Sequence, residues 1–85
     1  MARYSLAFRK SVAKDLRAIP NNDVKRILER LWQLAEDPRG PGCEKMTAVD
    51  CYRVRQGDYR ILYQIQDEVL VVLVVKAGNR REVYR

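Results

Sequence analysis

Histidine is absent from this 85-residue chain. That removes the commonest biological general acid and base, every Cys/His zinc site and every nucleophile that relies on a Ser–His or Cys–His pair. Cysteine is nearly absent as well. Cys43 and Cys51 cannot complete a four-ligand zinc site and can close at most one disulfide, which nothing in their setting demands. Two reduced thiols in a cytoplasmic protein are therefore expected, with no metal and no cofactor. Long apolar runs are missing too. Met1 to Lys10 holds no signal-peptide core. The longest apolar run, Val69 to Val75, is far short of the ~20 residues a membrane helix needs. No membrane partner is expected.

What is present suits one small domain spanning residues 1–85. The chain is 47% hydrophobic and 33% charged, which separates it from disordered polar tracts and from membrane proteins. Lys+Arg number 17 against 11 Asp+Glu, a net charge of +6, and this excess points to an anionic partner.

Periodicity supplies the elements. Tyr4, Leu6 and Phe8 alternate with Ser5 and Ala7, a short half-buried strand. Val12, Leu16 and Ile19 then follow helical spacing, with Ser11 placed to cap. Pro20-Asn21-Asn22 interrupts, and Asn22 or Asp23 is expected to cap a second helix. Its stripe is Val24, Ile27, Leu28, Leu31, Leu34 and Ala35, with Trp32 at its edge as a core or interface residue. Lys25, Arg26, Glu29, Arg30 and Glu36 lie largely off the stripe. Asp37-Pro38 ends the helix. Arg39-Gly40-Pro41-Gly42 opens a loop that runs irregularly to about Asp50. Cys51 to Gln56 and Tyr59 to Gln66 read as strands joined at Gln56-Gly57-Asp58. Asp67-Glu68 turns the chain into Val69–Val75, an all-apolar strand expected to be buried on both faces. Gly78-Asn79 breaks it, and Arg80 to Arg85 form a short polar tail. The fold class is α+β: two N-terminal helices packed on one face of a mainly antiparallel four-stranded sheet, ordered β-α-α-β-β-β.

The hairpin carries a parity argument. With a Gln56-Gly57 loop, Arg53 sits opposite Arg60; with a Gly57-Asp58 loop, Arg55 does. In both registers Arg53, Arg55 and Arg60 share one face, because side chains alternate with period 2. A three-residue loop would send Arg60 to the other side. No acidic residue alternates onto that face nearby, apart from Asp58 at the turn. Opposed like charges destabilise a sheet, so the cluster reads either as a solvated face or as an anion site where planar forks grip phosphate oxygens. Arg80, Arg81 and Arg85 add charge around Tyr84, an interleaving that suits RNA.

Three segments, Cys51-Tyr52-Arg53-Val54-Arg55, Gly57-Asp58-Tyr59-Arg60-Ile61-Leu62-Tyr63 and Gly78-Asn79-Arg80-Arg81-Glu82-Val83-Tyr84, resemble the RelE branch of the RelE/ParE toxin superfamily. The resemblance implies the toxin of a type II toxin–antitoxin pair, a metal-independent endoribonuclease (mRNA interferase) that cuts messenger RNA in the ribosomal A site and so inhibits translation. It implies attack of the ribose 2′-hydroxyl on the adjacent phosphorus, leaving a 2′,3′-cyclic phosphate and a 5′-hydroxyl. It further implies a cognate RelB-like antitoxin, the ribosome with its mRNA, and operator DNA bound only as the toxin–antitoxin complex. By family position Arg53 and Arg55 replace lysines, Arg60 is the phosphate-binding arginine, Arg80 a second essential arginine, and Tyr84 the tyrosine of base stacking and catalysis. Arg81 joins these in RNA binding. Two departures matter. Arg55 stays protonated and is a poor base, and Asn79 stands where many relatives carry histidine. Proton transfer then falls to Tyr84, to water, to a distant carboxylate or to the ribosome. Two rival readings share the fold: a ParE-like inhibitor of DNA gyrase, and a non-catalytic nucleic-acid-binding module of an autoregulatory complex.

Overall fold

The computed structural model describes residues 3–47 and 49–79. Strand β1 (Ser5–Phe8) leads into helix α1 (Lys10–Arg17) and helix α2 (Asn21–Glu36). Three strands follow: β2 (Glu44–Lys45), β3 (Tyr52–Gln56) and β4 (Tyr59–Gln66). A 3-10 turn, Asp67–Val69, connects to β5 (Val71–Asn79). Among the described residues the sheet has five strands in the order β1-β5-β4-β3-β2. One pairing, β1 with β5, is parallel and the others are antiparallel. The sheet thus has one strand more than the expected four, because two residues of the supposed loop pair with β3. Among the described residues no helix is long and apolar enough to cross a membrane.

Both helices lie on one face of the sheet. Val12 and Ile19, then Ile27, Leu31 and Leu34, meet Val54, Ile61, Tyr63, Val72 and Val74 in one buried cluster. The helical stripe is narrower than its sequence suggests: Leu28 is 39% exposed, and Trp32, at 63%, is no core residue. Phe8, Leu28 and Trp32 form an exposed apolar strip where α2 meets β1. Strand β5 is interior to the sheet but not buried on both faces. Val72, Val74 and Ala77 are buried towards the helices, while Val71, Leu73 and Val75 are half-exposed.

Several boundaries move for local reasons. Helix α1 starts after Arg9 and helix α2 after Pro20, and neither has a side-chain cap from Ser11, Asn22 or Asp23. Instead the carbonyl of Pro20 accepts from the amides of Asp23 and Val24 at 2.9 and 3.0 Å. Proline lacks the N–H that a first helical turn leaves orphaned, and its fixed φ suits the entry. Val69 belongs to the 3-10 turn rather than to β5, and Leu70 closes that turn in the left-handed region (φ 53°). Gly78 and Asn79 do not break β5 but continue it, paired with Arg60 and Tyr59.

The end of α2 is tied to the sheet by polar contacts. The buried Tyr63 hydroxyl donates to the Pro38 carbonyl at 2.7 Å. Burial, then a hydrogen bond with Cys43, push that phenol's pKa well above its ordinary value. Arg39 grips both oxygens of Asp67, at 3.1 and 2.8 Å, and Tyr4 donates to the same carboxylate at 2.7 Å. The Arg39 guanidinium also reaches the Tyr52 hydroxyl at 3.3 Å, and Tyr52 stacks on Tyr63 with centroids 5.8 Å apart.

Two outcomes follow. Tyr63→Phe leaves a buried carbonyl without its donor and should destabilise the fold by about 1–3 kcal/mol, read as a lower urea midpoint with unchanged slope. The hydrogen bonds from Arg39, then from Tyr4, hold the Asp67 carboxyl down to about 2. A folded-state pKa below the unfolded one stabilises the fold at neutral pH, and that stability is lost as pH falls from about 4 through about 2. Asp67→Asn should therefore be less stable than wild type at neutral pH and equal to it at the acid end, as measured by urea denaturation at several pH values.

Candidate functional site

The β3–β4 hairpin turns through Gly57-Asp58, and Gly57 takes φ 61°. A glycine with positive φ at the first loop position is what a type II′ hairpin requires. This loop sets the register: Gln56 pairs with Tyr59, Arg55 with Arg60, and Arg53 with Leu62. Of the two registers that the sequence allows, the Gly57-Asp58 one is realised. Val54, Ile61 and Tyr63 then point under the helices and are fully buried. By the same alternation Arg53, Arg55 and Arg60 share the opposite face.

Their exposures differ. Arg55 is exposed, Arg53 half-buried, and Arg60 only 9% exposed. Arg60 lies between Arg55 on one side and Gly78 on the other. A glycine there presents no side chain of its own, so the long arginine can lie against bare backbone.

Strand β2 adds what the sequence reading lacked. Glu44 pairs directly with Arg53, and its Oε2 accepts from Arg53 Nε at 3.2 Å and from NH2 at 2.8 Å. An acid does sit on the arginine face, contrary to the expectation that only Asp58 lay near. A two-residue strand has no periodicity to read, so no pattern in the sequence marks Glu44. Hydrogen bonding to Arg53, then its charge, with Arg60 and Arg55 beyond, hold the Glu44 carboxyl below the usual range.

These groups line a cavity of about 350 Å³ at the open edge of β3, where Arg53, Arg55, Arg60 and Glu44 meet Arg30 and Gly42. Arg30, read from the sequence as lying off the apolar stripe of α2, acts as a clamp. It donates to Gln33 Oε1 at 2.8 Å and to the Pro41 carbonyl at 2.9 Å. Gly42 is suited to its place twice over, by φ 85° and because a Cβ would stand 3.2 Å from Arg30 NH2. Arg80, Arg81 and Tyr84 lie outside the described residues. Among the described residues no three metal-ligating side chains converge.

Such a site can bind an anion whose oxygens match guanidinium forks, a phosphate above all. Two helices behind a sheet, with an arginine-lined cavity at the edge of β3, define a small α+β domain.

The comparisons make the class specific. The sequence model of the family described as "ParE toxin of type II toxin-antitoxin system, parDE" matches residues 6–84. The chain is 32% identical over 85 residues to the mRNA interferase toxin RelE of Escherichia coli, covering 95% of this chain and 90% of that protein. The crystal structure of the isolated E. coli RelE toxin superposes with a TM-score of 0.79 at 30% identity, over 95% of this chain and 90% of that one. The toxin in an archaeal RelE–RelB complex from Pyrococcus horikoshii gives 0.78 at 28% identity, over 94% and 98%. The chain belongs to the RelE/ParE superfamily of type II toxin–antitoxin toxins.

Arg55→Ala removes one of two directly opposed cations. We expect stability without phosphate to stay level or rise by some tenths of a kcal/mol, while the rise in melting temperature on adding inorganic phosphate shrinks.

Proposed function

We propose that this toxin is a ribosome-dependent endoribonuclease that cuts mRNA in the A site. The ribose 2′-oxygen attacks the adjacent phosphorus as its proton is removed. The bond from phosphorus to the 5′-oxygen breaks, and that oxygen is protonated. The products are a 2′,3′-cyclic phosphate and a 5′-hydroxyl. Such a reaction needs in-line geometry and stabilisation of charge on the phosphate. The observation that carries the reading is the direct pairing of Arg55 with Arg60, with Arg53 beside them on the open face. Guanidiniums gathered at a cost in repulsion suit a dianionic transition state. Arg53, Arg55 and Arg60 bind and stabilise the scissile phosphate in this reading. By sequence position, Arg80 and Arg81 extend the RNA contact and Tyr84 stacks on a base and takes part in catalysis.

The RelE relative named an mRNA interferase supports the activity. The RelE–RelB complex among the similar structures supports a cognate antitoxin, and an acidic, partly apolar segment would complement a chain of net charge +6. Operator DNA is engaged by the toxin–antitoxin complex rather than by the toxin alone. Gyrase inhibition is the competing reading, because the matching family description carries the ParE name.

Primer extension on a translated message after induced expression separates the two. Cuts within codons are expected. Arg60→Ala should slow cleavage about ten- to over a hundredfold, the loss of one charge-assisted contact of about 1.5–3 kcal/mol realised in the transition state. Its circular dichroism spectrum should remain that of the folded protein. Intact messages with altered plasmid supercoiling would instead establish the ParE-like activity.

A further inference from the structure

We propose that Glu44 is a displaceable internal anion: it occupies the Nε/NH2 edge of Arg53 in the free toxin and yields that edge to an RNA phosphate. The inference rests on reading the arginine face as an RNA site and names a residue that sets its affinity.

The geometry is that of a phosphate stand-in. A guanidinium grips an oxyanion best along the edge formed by Nε and one terminal nitrogen. Both contacts of that edge, 3.2 and 2.8 Å, go to Glu44 Oε2. Among the described residues, Glu44 is also the one carboxylate lining the cavity that holds Arg53, Arg55 and Arg60. The carboxylate is thus where an incoming phosphate would have to be.

The pair is also weak enough to open. Its side chains are 34% and 66% exposed, and exposed ion pairs contribute little. Glu44 sits on a strand of two residues at the edge of the sheet, so its side chain can swing into solvent without disturbing the core. The carboxyl is charged at neutral pH, as any glutamate is, so it meets Arg53 as an anion. Displacement carries an ionic signature. A phosphate that takes Arg53 releases a counterion from the RNA, but the freed carboxylate recruits a cation from solution. The net release is smaller than for an arginine that was open from the start.

The test is the salt dependence of binding between the free toxin and a single-stranded oligoribonucleotide, in wild type, Glu44→Gln, Arg53→Gln and the double variant. Glu44→Gln should bind about two- to fivefold more tightly at moderate salt. Its plot of log affinity against log salt should steepen, by at most the ~0.7 of one phosphate contact on a single strand, because no freed carboxylate takes up a cation. In the Arg53→Gln background the same change should do neither, which marks the effect as acting through that arginine. Equal affinity and equal slope for wild type and Glu44→Gln would overturn the proposal, as would an equal gain in both backgrounds. Binding is measured without ribosomes or cleavage. A failure of the nuclease reading, seen as intact messages after induction, is therefore distinguishable from a failure here.

Discussion

The alternation of side chains along one hairpin governs everything else in this molecule. Gly57-Asp58 is a two-residue loop, so each residue of β3 has one fixed partner on β4. With that pairing Val54, Ile61 and Tyr63 enter the core together, and the arginines between them are carried together to the opposite side. A slip of one residue on either strand would place guanidiniums under the helices and valine in water. Burial of the apolar set therefore enforces the grouping of the charged set. The arginines are carried to that face by burial on the other side of the sheet, not by attraction among themselves.

That arrangement leaves an electrostatic debt that is met locally. Arg55 and Arg60 stand opposite one another, and Glu44 relieves Arg53 from the neighbouring strand. Away from this face the cation–carboxylate contacts have a different character. Arg39 and Asp67 share two hydrogen bonds and are joined by Tyr4 and Tyr52. That cluster ties the segment after α2 to the turn before β5 and has geometry suited to holding structure. The Arg53–Glu44 pair has one carboxylate oxygen at work on a two-residue edge strand. The two ion pairs look alike in a list of distances, yet the number of partners each carboxylate has separates an anchor from a latch.

Much of this was legible because it rests on periodicity. The stripe from Ile27 to Ala35, the alternation from Tyr52 to Gln66 and the shared face of Arg53, Arg55 and Arg60 are all consequences of 3.6 and 2.0 repeats. The family resemblance rested on the β3–β4 segments together with Gly78 to Tyr84, and was upheld. What escaped has no repeat. Strand β2 is too short to alternate. Pro20 opens α2 through its carbonyl and ring rather than through the expected polar cap. Leu70 takes a left-handed conformation usually left to glycine, and Gly78-Asn79 continues β5 although the pair resembles a stop signal. Trp32, at the edge of the helical stripe, lies exposed beside β1 and not in the core. Each miss is a place where tertiary pairing overrides a local signal.

The parallel pairing of β1 with β5 places sequence-distant segments side by side. Residues 5–8 lie against residues 71–74. The interior strand is therefore among the last described parts to be synthesised, and β1 pairs with it, its one sheet neighbour among the described residues, after the intervening chain exists. The β3–β4 hairpin closes over a short loop and can form early, but nothing fastens it to β1 until β5 slots between them. The hairpin that bears the arginines thus precedes, in the chain, the strand that joins it to β1.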